Sequence, residues 1–176
     1  MATIAVGDIH GNRLALNDIL VQIRSEAAAG DTIVFLGDYI DRGPDTKGCV
    51  DAILGLQREV KAEVVCLLGN HEDWFLRTLR DYRSHSWLLG MEAFDTMRSY
   101  SVEAARTLRE AVSKAGAGVY LERCALPYEA FFDCVPKSTF DSWRVCVSIT
   151  RVRIACAHTA GWIPASLVFK NKSARP

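Results

Sequence analysis

An α/β fold with a parallel sheet is expected from three observations: three short apolar runs that each stop at a glycine, helical periodicity between them, and a change of pattern after the third. Ala2 to Val6 is apolar and ends at Gly7, as a buried strand would. From Asn12 to Ala29 the residues Leu14, Leu16, Ile19, Leu20 and Ile23 recur at helical spacing, and Gly30 stops the run. Thr32 to Leu36 is a second apolar strand, closed by Gly37. Thr46 to Val60 reads as a helix with Val50, Ile53, Leu54 and Leu56 inward, and Glu63 to Leu68 as a third strand closed by Gly69. Strand and helix alternating at intervals of roughly 30 residues give βαβαβ, hence a parallel sheet.

After His71 the text becomes helical. Trp74–Arg83, Met91–Tyr100, Val102–Ala115 and Tyr128–Val135 each carry that periodicity, with glycines and Pro127 between them. They read as a helical insert. Arg144–Thr150 and Arg151–Ala157 then read as two strands. From Ser142 to Pro176 there is no Asp or Glu, and the tail carries Lys170, Lys172 and Arg175. The whole chain, residues 1–176, reads as a single domain.

With 176 residues, 49% hydrophobic and 24% charged, the composition is that of a soluble globular protein. The formal net charge of +0 gives no global pull toward nucleic acid or an anionic membrane. Neither partner is expected. The longest uncharged stretch, Ile154 to Phe169, is broken by His158, Gly161 and Pro164 and is too short to span a bilayer. Asp8 and His10 interrupt any signal-peptide core, and the six cysteines form no CxxC pair. A reduced, cytoplasmic protein is the expectation.

The chemistry sits where the strands end, which in an open parallel sheet is where ligands bind. Gly7-Asp8-Ile9-His10-Gly11, Gly37-Asp38-Tyr39-Ile40-Asp41-Arg42-Gly43 and Gly69-Asn70-His71-Glu72 all arrive there. Asp8 and His10 lie two apart, so an extended strand end would send both side chains to one side. Asp38 can bridge two cations through its two oxygens, and Asn70 offers a neutral carbonyl oxygen. Mixed oxygen and nitrogen ligands suit Mn, Fe or Zn better than calcium. Glu72 reads as a residue flanking a helix start. His85, in a polar stretch, reads as a solvated surface residue, and Trp74, Phe75 and Trp87 read as core.

These three signatures resemble those of the phosphoprotein phosphatase branch of the calcineurin-like metallophosphoesterases, in its bacterial serine/threonine protein phosphatase form. Trp87-Leu88-Leu89-Gly90, Thr96-Met97-Arg98-Ser99-Tyr100, Leu126-Pro127 and Phe131-Phe132 extend the likeness, so residues 2–136 match well and 137–176 diverge. The resemblance implies an αββα sandwich, whose second sheet would be incomplete here. It implies two divalent ions, with Mn2+ the expected one, held by Asp8, His10, Asp38 and Asn70. A metal-bridging hydroxide would attack phosphorus, Arg42 would bind phosphate oxygens, His71 would protonate the leaving oxygen, and Asp41 would orient His71. The implied substrate is a phosphoserine or phosphothreonine protein, or a small phosphoester. Hydrolysis of dinucleoside polyphosphates on the same scaffold is the alternative.

Two departures bear on activity. The family's next histidine ligand falls in a His-Ala-Gly or His-Gly-Gly turn. Here the sequence is His158-Thr159-Ala160-Gly161, one residue longer, and His158 is the candidate. No histidine follows His158, although the family has a Gly-His motif further on. A C-terminally truncated chain with a weak second metal site is one expectation, and a non-catalytic metal-binding remnant is another. An exposed apolar sheet edge, open to self-association, would accompany truncation.

Overall fold

The computed structural model describes residues 1–121, 124–145 and 169–172. Strand β1 (Ala2–Val6) lies beside β2 (Thr32–Phe35), and β2 beside β3 (Glu63–Cys66), all parallel. The registers Ile4↔Ile33 and Ile33↔Val64 place the apolar positions of the three strands in line. Helix α1 (Arg13–Glu26) joins the first pair and α2 (Thr46–Glu59) the second, so the expected βαβαβ unit is present.

Both crossover helices begin where their capping residues dictate. Asn12 Oδ1 accepts the N–H of Ala15, and Asp45 Oδ1 accepts that of Gly48, each satisfying a donor that a helix start leaves open. Leu16, Leu20 and Ile23 on α1, and Cys49, Val50, Ile53 and Leu56 on α2, bury against the strands. They form one apolar core with Ile4, Val6, Ile33 and Phe35.

The sheet continues on the other side of β1. Strand β4 (Phe169–Lys172) pairs antiparallel with it, giving the order β3-β2-β1-β4. Lys170 and Lys172 of the expected basic tail thus lie in a strand, and the β1 edge among the described residues is covered rather than open.

Beyond β3 come α3 (Asn70–Arg80), α4 (Ser86–Gly90), α5 (Ala93–Tyr100) and α6 (Val102–Ala115). The short helices α7 (Gly118–Leu121) and α8 (Glu129–Phe132) and then α9 (Lys137–Val145) follow. The insert has an aromatic heart. Phe75 meets Trp87 edge-on at 4.8 Å and Phe132 at 5.2 Å, and Trp87 lies 5.7 Å from Phe131.

Three local expectations need correction. His85 is not a surface residue: it is 5% exposed, with Nδ1 3.1 Å from the Tyr128 hydroxyl and Nε2 2.7 Å from the Cys124 carbonyl oxygen. Distant residues that supply its hydrogen bonds make that burial tolerable. Arg144 and Val145 end helix α9 instead of starting a strand, and the rest of that run and the strand expected at Arg151–Ala157 lie outside the described residues. Helix α3 starts at Asn70 rather than Trp74, which puts Asn70 and His71 in its first turn. No helix among the described residues is long and apolar enough to cross a membrane.

Candidate metal centre and active site

The loops after β1, β2 and β3 converge, as the sheet topology requires. His10 N–H donates to the Asp38 carbonyl at 2.8 Å and Gly11 N–H to that of Tyr39 at 2.9 Å. Gly37, at φ +102, abuts the third loop so closely that a Cβ there would lie 2.5 Å from the Gly69 nitrogen. That contact needs a residue with no side chain.

The backbone here is unusual. Asp8 (φ 51), His10 (φ 42), Asp38 (φ 53), Asp41 (φ 72) and Arg42 (φ 67) occupy the left-handed region, which leaves Glu92 as the other described non-glycine residue that does. Each such residue costs on the order of 1 kcal/mol, and strain of this kind concentrates at functional sites. Asp8 and His10 therefore do not share a side through extended geometry. Local backbone strain aims them instead.

One nitrogen or oxygen from each of His10, Asp38 and His71 lies within 4.8 Å of the others. The two imidazole rings are 4.7 Å apart, edge to face. The His10 ring is held in one tautomer. Its Nδ1–H donates to the Ile40 carbonyl at 3.0 Å, so Nε2 carries the lone pair, and the Arg42 guanidinium donates to it at 3.0 Å. The His10 imidazole, with its fixed Nε2 lone pair, and the Asp38 carboxylate are donors that fit a divalent transition ion. Asp8 lies in the loop after β1, exposed and outside the three-residue cluster, and Asn70 is exposed at the first position of α3. His158 lies outside the described residues.

His71 also belongs to a buried aspartate–histidine pair. Asp41 Oδ2 accepts from His71 Nδ1 at 2.8 Å, with the two side chains 0% and 2% exposed. Burial pushes the Asp41 carboxyl above its ordinary range, against the donors His71, Thr96 and Trp87. Burial also opposes charge on His71, but the hydrogen bond and charge of Asp41, with Asp38 beyond, outweigh it and raise the imidazole above the usual histidine value. The pair holds its shared proton more tightly than either group would alone.

Glu72 was expected only to flank a helix start. It does cap α3, accepting the Gly69 N–H on Oε2 at 3.1 Å. The same oxygen accepts the Asp38 N–H at 2.9 Å, while Oε1 accepts those of Tyr39 at 2.9 Å and Ile40 at 3.2 Å. Burial and the Asp38 carboxylate push Glu72 up to about 7, while these backbone donors favour the anion. One carboxylate thus ties the loop carrying Asp38 to the helix carrying His71. The sequence signal was present in Glu72 following Asn70-His71, but its long-range partners were not visible locally.

The family model described as "Calcineurin-like phosphoesterase" matches residues 1–161. The chain belongs to the calcineurin-like phosphoesterase family. It is 39% identical over 84 residues to "Serine/threonine-protein phosphatase 1" of Salmonella typhimurium, covering 48% of this chain and 36% of that protein. It is 37% identical over 67 residues to "Zinc-dependent endopolyphosphatase" of Saccharomyces cerevisiae, covering 38% and 19%. A "Bis(5'-nucleosyl)-tetraphosphatase, symmetrical" of Janthinobacterium sp. is 36% identical over 72 residues, covering 41% and 24%. The chain thus spans well under half the length of each of these relatives. Calcineurin-like phosphoesterases bind divalent metal ions, and the His10–Asp38–His71 cluster is a candidate place for one.

Proposed function

We propose that this calcineurin-like phosphoesterase is a metal-dependent phosphatase that hydrolyses phosphoserine and phosphothreonine monoesters in the cytoplasm. The observation that carries this reading is the buried Asp41–His71 pair set against the His10–Asp38 donors, which supports an acid beside a cation site. Asp8, His10 and Asp38 would hold one divalent ion, and Asp38, Asn70 and His158 a second. Bound there, such ions, with Mn2+ the favoured one, lower the pKa of water and offset charge at phosphorus.

The chain's own residues do the rest. Arg42, exposed and already at the cluster, presents a planar fork to the phosphate oxygens. As the phosphorus–oxygen ester bond breaks, the leaving oxygen takes the proton from His71 Nε2, the ring nitrogen not committed to Asp41. Asp41 holds the ring in place and stabilises its charged form. The Salmonella relative supports the protein phosphatase assignment, as do Asp41 and Glu72 at their motif positions.

The test is hydrolysis of p-nitrophenyl phosphate with added Mn2+, then of a phosphothreonine peptide beside diadenosine tetraphosphate and polyphosphate. Activity on the peptide above the other two supports the reading. Preference for diadenosine tetraphosphate would move the assignment to the nucleotide branch, and no turnover of any substrate would leave a metal-binding remnant.

A further inference from the structure

Asp41 has more partners than the proposed chemistry uses. Besides His71, its carboxylate accepts from Trp87 Nε1, at 3.1 Å on Oδ1 and 2.9 Å on Oδ2, and from Thr96 Oγ1 at 2.7 Å on Oδ1. Thr96 Oγ1 in turn accepts the Asp41 backbone N–H at 2.8 Å, closing a ring between one backbone and one side chain. With its proton committed to Asp41, the Thr96 hydroxyl receives the proton of Thr46 Oγ1, 3.1 Å away. Asp41, Trp87, Thr96 and Thr46 are each 0% exposed.

These donors come from the helical insert, Trp87 on α4 and Thr96 on α5, while Asp41 and His71 come from the sheet loops. A lone Asp–His contact leaves the carboxylate free to rotate about its last bond. Donors on both oxygens remove that freedom and keep Oδ2 on His71 Nδ1. Trp87 is itself clamped by Phe75 and Phe131, so its N–H direction is fixed by packing.

We infer that Trp87 and Thr96 are positioning residues that hold Asp41 against His71, making the helical insert part of the acid machinery. The inference rests on the reading that His71 protonates the leaving oxygen. In that step the ester bond electrons go to the leaving oxygen with the Nε2 proton, and a neutral imidazole remains with its Nδ1–H on Asp41. A leaving group that departs unaided needs little of this.

The test uses Trp87→Phe, which removes the N–H but also trims the buried ring, and Thr96→Val, which keeps shape but removes the hydroxyl both as donor to the carboxylate and as acceptor from the Asp41 N–H. Thr96→Ser is the conservative rescue. For phenyl phosphate, kcat is expected to fall roughly tenfold in each, with KM unchanged, a fraction of what a general acid supplies. For 2,4-dinitrophenyl phosphate the fall is less than about twofold, and Thr96→Ser restores the wild-type values. Equal losses on both substrates, or none, overturn the inference. A second readout needs no turnover: the far-downfield ring N–H resonance of His71 in the whole chain, assigned by its loss in His71→Gln. It should shift or broaden in Trp87→Phe and Thr96→Val. A wild type without activity but with this shift would sink the phosphatase reading and leave the positioning role standing. An unmoved resonance in both variants would overturn the positioning role itself.

Discussion

Replacing Glu72 by Gln changes one atom and removes half of a four-donor acceptor. The carboxylate takes the N–H groups of Asp38 and Gly69 on Oε2 and those of Tyr39 and Ile40 on Oε1. A glutamine has one carbonyl oxygen, so whichever way it turns, its NH2 faces two backbone donors. Each buried donor left unmatched costs about 1–3 kcal/mol, or about 2–6 together. Removing a buried charge that is pushed up to about 7 returns part of this, so the net loss is about 2–4 kcal/mol. Urea unfolding at neutral pH with a chelator present measures it directly. The loss should be accompanied by weaker Mn2+ binding in the folded variant, because the freed loop carries Asp38. A stability change under about 0.5 kcal/mol, the size of an ordinary surface substitution, would refute the reasoning.

Gly37→Ala should lower Tm by roughly 6–12 °C, from about 3 kcal/mol of strain and overlap with the Gly69 nitrogen. Gly30→Ala, also at positive φ (+90) but with only Met1 nearby at 3.8 Å, should cost about 1 kcal/mol; equal scans for the two variants would contradict the close-approach argument. In the chelated protein, stability should fall as pH rises above about 6.5. Both Asp41 and His71 have folded values above their unfolded ones, so the folded chain keeps protons that the unfolded chain releases. The His71 share is complete below the model-peptide value of about 6.5 and fades as pH passes the raised folded value. A urea midpoint series in wild type and His71→Gln checks this, the variant having the flatter slope.

The βαβαβ frame was legible because each of its elements carries its own signal: apolar strands closed by Gly7, Gly37 and Gly69, and helices whose apolar residues recur at helical spacing. The convergence of the three motifs followed from the topology. What local pattern could not show was decided by partners far along the chain. Helix α3 begins before its apolar stripe because His71 and Glu72 are buried by Asp41 and the Asp38 loop, not by hydrophobic packing. His85 sits among Arg83, Ser84 and Ser86, yet Tyr128 and Cys124 make its burial possible. Trp87 read as core and is core, but its N–H reaches Asp41, which composition alone cannot reveal. The left-handed backbone of Asp8, His10 and Asp38 is likewise not marked by any glycine at those positions.

The most direct test of the account is Mn2+ binding by isothermal titration calorimetry, wild type beside Asp38→Asn. Asp38 belongs to the donor cluster, and its removal deletes the one carboxylate there. The account predicts saturable binding of at least one ion per wild-type chain and none detectable in Asp38→Asn. No binding in wild type, or equal binding in both proteins, would contradict the placement of a metal centre at His10 and Asp38.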